Sequence, residues 1–314
     1  MYILGFDIGG TKCAAVTASW DGERVELIKK VKLDTDTSIP PCEFLNKLMA
    51  LADTIIDKAP DAIGISSGGP LDSQNGVILS PPNLPGWDSV EIVKMIEEHY
   101  NVTAKLVNDA NASSLAEWRF GAGRGARNMV FLTFGTGLGA GLILDGRLYE
   151  GTNGNAGEVG HIRLKDDGPV GFGKAGSFEG FCSGGGIARL AYKMALAEAE
   201  KGNYPAYYKD GMSLGDISAK TVADAARAGD KTAIEVYRTS GEMLGKGLSV
   251  IIDILNPELI VIGSVFARSG DLLIPAMKVA LEKEALTPSV DAVKIVAAEL
   301  GESIGDYAAI AAAL

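Results

Sequence analysis

Two short segments rich in glycine and threonine have the composition of phosphate-binding turns. The first is Asp7-Ile-Gly-Gly-Thr-Lys12, and the second is Gly135-Thr-Gly-Leu-Gly-Ala-Gly141. Glycine lets consecutive backbone N–H groups point at one anion, and its missing side chain lets a phosphate approach closely. In the first segment Thr11 adds a hydroxyl donor, and Asp7 is a carboxylate that can hold Mg²⁺ through water. Either segment alone is equally compatible with an ordinary hairpin turn.

A candidate general base lies in Asn108-Asp109-Ala-Asn111, where an apolar run ends and a helical pattern begins. Asp109 is therefore expected at the carboxyl end of a strand, where α/β sheets bind ligands. A carboxylate in that position can accept a proton from a hydroxyl that attacks phosphorus. Asn and Asp are also good helix N-caps, so the position by itself leaves both interpretations open.

Glu158, His161 and Glu179 fall in a glycine-rich, irregular stretch. Two carboxylates and an imidazole can bind several hydroxyl groups of a polyol, because carboxylates accept hydrogen bonds and histidine can do either. A lone histidine is more commonly structural, and this alternative stays open for His161. The other histidine, His99, lies in a charged helical pattern and is expected on the surface.

Apolar periodicity indicates how the chain positions these residues. The first third reads strand, strand, strand, helix, strand, helix, strand, helix, which predicts a mixed sheet with helices on its faces. The predicted strands are 2–6, 12–18, 25–33, 62–66 and 104–107, and the predicted helices are 42–58, 90–100 and 110–120. In the second half we predict a hairpin over 129–144, helices at 186–200, 219–228, 231–255 and 271–284, strands at 259–262 and 293–297, and a terminal helix from Ser303. The two similar turns suggest a duplicated hairpin, one in each of two lobes facing a shared cleft.

Composition excludes several classes of protein. The 314 residues are 47% hydrophobic and carry a net charge of −11, which disfavours nucleic acid and anionic membranes as partners. Three widely separated cysteines predict reduced thiols and a cytoplasmic location, and no signal peptide or membrane span is expected. No GxxxxGK[ST] segment occurs. A literal GxGxxG over 171–176 does not follow a strand, so it is not interpreted as a dinucleotide site.

Four segments, taken in chain order, resemble the ROK family of bacterial sugar kinases and sugar-responsive repressors. They are Asp7–Lys12, Asn108–Asn111, Gly135–Gly141 and Glu158-Val-Gly-His161. The resemblance extends through the late segment 255–263 and covers essentially the whole chain. It implies the actin/hexokinase-like (ribonuclease H-like) α/β fold, with one lobe over 1–118 plus 301–314 and a second over 119–300, and a cleft between them. It implies Asp109 as catalytic base and ATP with Mg²⁺ as cofactors, Asp7 holding the metal through water. The implied sugar contacts are Gly69, Asn83, Asn108, Asp109, Glu158, His161 and Glu179. The implied nucleotide contacts are Gly9, Gly10, Thr11, Lys12, Thr136, Gly137 and Gly263.

The chain departs from the family pattern at two places. The family's zinc-binding CxCGxxGCxE segment reads here with Val170, Phe172 and Ser177 at the three cysteine positions. We therefore expect no zinc site, since three of its four ligands are absent, and we expect Val170 and Phe172 to fill the vacated space by apolar packing. The usual triple glycine after the late strand reads Gly263-Ser264-Val265, which makes adenosine contacts there less certain.

The resemblance implies an ATP-dependent hexose kinase that phosphorylates the 6-hydroxyl of a hexose, with glucose as the first candidate. The alternatives within the family are an N-acetylhexosamine kinase, a fructokinase and a non-catalytic sugar-sensing regulator. A DNA-binding repressor is disfavoured, because the first turn begins at Asp7 and leaves no room for a preceding helix-turn-helix domain. A homodimer is the expected assembly.

Overall fold

The computed structural model describes all residues, Met1–Leu314. The elements of the first 125 residues are β1 (Tyr2–Ile8), β2 (Lys12–Trp20), β3 (Val25–Asp34), α1 (Pro41–Asp53), β4 (Ala62–Ser67), β5 (Leu71–Asp72), β6 (Val77–Ile78), α2 (Ile92–Tyr100), β7 (Ala104–Asn108) and α3 (Asp109–Phe120). Those of the remainder are β8 (Met129–Leu132), β9 (Ala140–Leu144), β10 (Arg147–Leu148), β11 (Val170–Gly171), β12 (Lys174–Ala175), α4 (Phe178–Phe181), α5 (Gly184–Ala199), α6 (Ala219–Arg227), α7 (Lys231–Leu255), β13 (Leu259–Ile262), α8 (Val265–Glu284), α9 (Thr287–Ala292), β14 (Lys294–Ala297) and α10 (Ile304–Ala312).

The first sheet has the strand order β3-β2-β1-β4-β7. β1 is antiparallel to β2 and parallel to β4, which is parallel to β7. Side chains alternate across a strand, so β1 contributes Leu4 and Phe6 to one buried core and Ile3 to another. A strand buried on both faces needs an almost continuous apolar sequence, as β1 has. The carboxyl ends of β1, β4 and β7 therefore meet along one edge of this sheet.

The C-terminal helix α10 packs directly on this sheet. A Cβ on Gly5 of β1 would lie 2.9 Å from the Ala309 Cβ, and one on Gly64 of β4 would collide with the Ala309 carbonyl oxygen. Two glycines and an alanine-rich helix thus allow the helix backbone to approach the strands closely. This packing brings the first turn of α10 beside the end of β1.

The second sheet has the strand order β10-β9-β8-β13-β14. β8, β13 and β14 are parallel, with Ile260 of β13 paired to Val130 and Ile295. The long helix α7 packs against α8 through Gly241 and Gly245, whose Cα atoms face α8 backbone carbonyls. The loops after β8 and β13 and the start of α5 meet at one end of this sheet.

The chain divides into two compact units. The first comprises Met1–Gly125, Gly141–Ala156 and Glu299–Leu314, and the second comprises Ala126–Ala140 and Gly157–Ala298. The lobe boundaries that the resemblance implies, at 118 and 301, remain a prediction. No helix has the length and apolar character required to cross a membrane.

The predicted order of major elements is present, with shifted ends. α1 ends at Asp53 rather than at residue 58, and α8 begins at Val265 rather than at residue 271. The sequence predicts only the later part of α8, because a kink at Ser269, which has non-helical dihedral angles, separates the first part of the helix from the rest. The sequence does not predict the two-residue strands, α4 or α9, since these elements are too short to show periodicity.

Candidate functional site

In the turn between β1 and β2, carbonyl groups accept hydrogen bonds from Thr35, while three backbone N–H groups make none. Thr35, just beyond β3, donates from its hydroxyl to the Gly9 carbonyl at 2.6 Å and from its N–H to the Thr11 carbonyl at 2.9 Å. The N–H groups of Gly9, Gly10 and Thr11 make no hydrogen bond within the chain. Gly10 also lies against Asn83, because a Cβ on Gly10 would collide with the Asn83 carbonyl oxygen. The turn therefore presents three backbone donors on a fixed frame, the arrangement of an anion-binding nest.

Asp7, on β1, is a half-buried carboxylate beside the first turn of α10. A Cβ on Gly305 would lie 2.5 Å from the Asp7 Oδ2 atom. Burial, and then the nearby charges of Asp306 and Asp109, raise the pKa of Asp7 from its ordinary 3.8 to about 6. Asp306 is itself paired with Lys30. The three carboxylates outnumber the two nearby lysines, Lys30 and Lys32, so the net negative charge fits a Mg²⁺ ion held by Asp7 through water.

The predicted sugar-contact residues of the first unit converge around the segment after β4. A Cβ on Gly68 would lie 3.6 Å from Asn83 Nδ2 and 3.8 Å from Asp109 Oδ2. A Cβ on Gly69 would lie 3.1 Å from Asn108 Nδ2. The structure therefore brings the two amides, the Asp109 carboxylate and Gly69 together at the ends of β4 and β7.

Asp109 is the first residue of α3, and Asn108 is its N-cap. The Asn108 side chain accepts from the Ala110 N–H at 3.1 Å, and Asp109 Oδ1 accepts from the same N–H at 2.8 Å. An acidic residue is favoured here by the helix dipole. Both side chains therefore contact the helix start through one oxygen, while Asp109 is exposed and has its Oδ2 atom on the Gly68 side.

The turn after β8 repeats the pattern of the first turn. The Gly135 and Thr136 carbonyls accept from the N–H groups of Gly184 and Gly185, at 2.7 and 3.4 Å, and the Gly137 carbonyl accepts from Gly135 at 3.0 Å. The N–H groups of Thr136 and Gly137 make no hydrogen bond within the chain. The start of α5 therefore donates hydrogen bonds to the carbonyl groups of this turn, as Thr35 does in the first unit. The N–H groups of Thr136 and Gly137 stay available to a ligand.

Glu179 lies against this second turn. Its Oε2 atom accepts from the Leu138 N–H at 3.1 Å, and a Cβ on Gly137 would lie 2.8 Å from the same oxygen. Gly160, between Glu158 and His161, is also adjacent, since its Cβ would lie 3.3 Å from the Glu179 Cβ. The second unit therefore places Glu179 and the Glu158–His161 turn beside the predicted nucleotide turn, and the carboxylate of Glu179 supports that turn directly.

The segment that replaces the zinc-binding motif is not packed as expected. Phe172 is 78% exposed and Val170 is 46% exposed, so the expectation that they fill the vacated space is wrong. They belong to a hairpin of two-residue strands, too short to cover them, and Phe172 has a φ of 41°. Its ring is 6.5 Å from that of His161. Only Ser177 is buried, where it donates to the Gly171 carbonyl and accepts from the Gly180 N–H.

Two of the predicted nucleotide residues offer little to a phosphate in this structure. Lys12 is exposed and lies 3.9 Å from Asp34, which is also exposed. The Gly263 N–H donates to the Leu132 carbonyl at 2.9 Å, and a Cβ on Gly263 would lie 3.0 Å from the Thr133 carbonyl oxygen. Gly263 thus serves the close approach of the ends of β8 and β13.

Sequence reasoning missed several residues around these turns. Thr35 and the Lys30–Asp306 pair act through contacts between segments far apart in the chain, which no local pattern indicates. Arg189, on α5, lies near Gly185 together with Thr136, since a Cβ on Gly185 would be 3.2 Å from both Arg189 Nη1 and the Thr136 carbonyl oxygen. Its one sequence signal is the preceding Ser183-Gly-Gly-Gly186 run, typical of a helix start against which another segment packs.

Comparison with known proteins shows which family the chain resembles. The ROK family model matches residues 3–314. The glucokinase of Thermotoga maritima is 32% identical over 310 residues, covering 96% of this chain and 94% of that protein. A solved ROK family glucokinase from Streptomyces griseus, in complex with glucose and AMPPNP, gives a TM-score of 0.78 at 29% identity and covers 100% of this chain and 99% of that one. The xylose repressor of Caldicellulosiruptor bescii is 28% identical over 285 residues, 88% of this chain and 69% of the repressor. With a family match over nearly its full length and glucokinases among its relatives in both sequence and structure, the chain belongs to the ROK family and has its two-lobed, actin/hexokinase-like α/β fold.

Proposed function

We propose that this protein is an ATP-dependent hexose kinase that transfers the γ-phosphoryl group of ATP to the 6-hydroxyl of a hexose, with glucose as the proposed sugar. The observation that carries the proposal is the shared pattern of the two turns. In each turn, carbonyl groups accept hydrogen bonds from a neighbouring segment. The backbone N–H groups of Gly9–Thr11 and of Thr136–Gly137 have no partner in the chain. Each such turn suits a phosphate group of the nucleotide.

In the proposed reaction Asp109 is the general base. Its carboxylate takes the proton of the 6-hydroxyl as that oxygen attacks the γ-phosphorus, and the bond from phosphorus to the β,γ-bridging oxygen breaks to release ADP. Asn108 and the start of α3 fix the position of Asp109. Mg²⁺, for which Asp7 is the proposed protein ligand through water, neutralises charge on the phosphates when it is bound.

We assign the sugar contacts to the polar groups that the family resemblance implies. In the first unit these are the amides of Asn83 and Asn108, which lie beside Asp109 and Gly69. In the second unit they are Glu158, His161 and Glu179. Glucose is favoured because both the Thermotoga maritima relative and the Streptomyces griseus structure are glucokinases. An N-acetylhexosamine and fructose are the alternative substrates.

The test is a coupled assay of ADP release with Mg·ATP and a panel of glucose, mannose, allose, fructose, N-acetylglucosamine and N-acetylmannosamine. An Asp109→Asn preparation purified in parallel controls for host kinases. Sugar-dependent ADP release above that control, with glucose giving the largest kcat/KM, is the expected result. Sugar binding without ADP release for any member of the panel would indicate a sugar-sensing regulator instead.

A further inference from the structure

Arg189 is a half-buried arginine on α5 whose guanidinium has no partner in the chain. Its Nε atom is buried and makes no hydrogen bond, and no ion pair involves its head group. The buried Nε–H has lost its contact with water and gained no acceptor, which is costly for a polar group, while the rest of the half-buried head group can still reach a ligand. Such a guanidinium is the natural partner of an anion that the folded chain does not itself contain.

The guanidinium lies beside the Thr136–Gly137 turn. A Cβ on Gly185 would lie 3.2 Å from Arg189 Nη1, 3.4 Å from Nη2 and 3.2 Å from the Thr136 carbonyl oxygen. Glycine at 185 therefore makes room for the arginine head group between the start of α5 and the turn. A Cβ at this position would require the guanidinium or Thr136 to shift by a few tenths of an ångström.

Some hydrogen-bond donors near Arg189 already have an acceptor within the chain, and others do not. The first N–H groups of α5 donate to Gly135, to Thr136 and to the Ser183 hydroxyl, so the helix start itself offers no further donor. The N–H groups of Thr136 and Gly137 and the guanidinium of Arg189 remain. A guanidinium next to two backbone N–H groups has the composition of a phosphate-binding site. A local cation here would also offset the repulsion between a polyanion and a chain with a net charge of −11.

We propose that Arg189 binds a phosphate group of the nucleotide substrate, together with the Thr136–Gly137 turn. The inference rests on the proposed kinase function. It assigns to Arg189 the cationic role for which the sequence offered only Lys12, whose ammonium is exposed beside Asp34.

The test compares Arg189→Ala and Arg189→Lys with the unaltered protein in direct binding of ATP, adenosine and inorganic tripolyphosphate, by calorimetry without sugar. We expect Arg189→Ala to weaken ATP and tripolyphosphate about 10- to 100-fold, as for the loss of a charge-assisted hydrogen bond, with adenosine affinity unchanged. Arg189→Lys should fall between, because it keeps the charge and loses the planar fork. Arg119→Ala is the matched control: Arg119 is also half-buried with an unpartnered Nε, but it lies 5.4 Å from the Trp118 ring centroid in the first unit. It should leave all three affinities unchanged.

The outcomes separate this inference from the function on which it rests. The phosphate role would be overturned if both Arg189 variants bound ATP as tightly as the unaltered protein does. It would also be overturned if the variants weakened ATP and adenosine binding by the same factor. If the unaltered protein binds tripolyphosphate through Arg189 but does not bind ATP, the anion site stands and the proposed kinase function fails. If it binds neither, both are overturned. Should Arg189→Ala not fold, as judged by circular dichroism, Arg189→Lys alone carries the comparison, and an ATP affinity equal to that of the unaltered protein refutes the inference.

Discussion

Replacing Asp7 by asparagine should stabilise the first unit at neutral pH while removing its proposed metal ligand. Burial and the charges of Asp306 and Asp109 raise the pKa of Asp7 to about 6 from 3.8. The folded state then binds more protons than the unfolded state between these values, so the ionised carboxylate destabilises the fold increasingly as pH rises from 4 to 6. The full effect above pH 7 is about 3 kcal/mol. Between pH 4.5 and pH 8 the stability of Asp7→Asn relative to the unaltered protein should increase by about 2 kcal/mol.

Tryptophan fluorescence provides a specific assay for this effect. All three tryptophans, Trp20, Trp87 and Trp118, belong to the first unit, so urea unfolding followed by fluorescence reports on the unit that contains Asp7. Measurements are made without Mg²⁺ or nucleotide. Asp72→Asn is the control. Hydrogen bonds from Asn75 lower the pKa of half-buried Asp72, so the stability difference between this variant and the unaltered protein should be flat over this pH range. A flat difference for Asp7→Asn as well would refute the reasoning.

Three further predictions concern the turns and the altered zinc motif. Gly10→Ala should lower kcat/KM for ATP at least about tenfold in steady-state kinetics, because a Cβ there collides with the Asn83 carbonyl oxygen. Gly215→Ala is the control, since its Cβ meets only one atom, at 3.7 Å. Equal kcat/KM values for the two variants would contradict this prediction. Glu179→Ala should raise the KM for ATP more than Glu179→Gln does, because glutamine can still accept from the Leu138 N–H; equal effects on that KM would exclude turn support. The purified protein should contain no stoichiometric zinc by elemental analysis, because serine and two apolar residues replace the three cysteines; one zinc per chain surviving dialysis would show the opposite.

The parts of this protein that were predictable from the sequence are those fixed by local patterns. Asp109 follows an apolar run and starts a helical pattern, which indicates its place at a strand end. The Gly-Gly-Thr turn of Gly9–Thr11 follows an apolar strand in the same way. Each of these signals lies within about ten residues, the range over which periodicity and turn chemistry operate.

The remainder depends on contacts between distant segments. No local pattern indicates that Thr35 holds the first turn, that Gly305 lies against Asp7, or that Arg189 lies near Thr136. For Phe172, a local pattern exists but gives the wrong prediction. Its apolar side chain predicts burial, yet its two-residue hairpin leaves the ring exposed. Burial is a property of the tertiary surroundings, which composition specifies only on average.

The central claim is that Asp109 is the base of a sugar kinase, and Asp109→Asn tests it most directly. Asparagine has the same shape and keeps an oxygen that can accept from the Ala110 N–H, so the fold and sugar affinity should persist. We predict that kcat falls about 10²- to 10⁴-fold, since the proton acceptor is lost. The Kd for the sugar, measured by calorimetry, should stay within a few-fold. Asp36→Asn, at an exposed loop carboxylate, is the control and should be fully active. A kcat for Asp109→Asn within a few-fold of the unaltered protein would contradict the account and leave Asp109 as part of the helix cap.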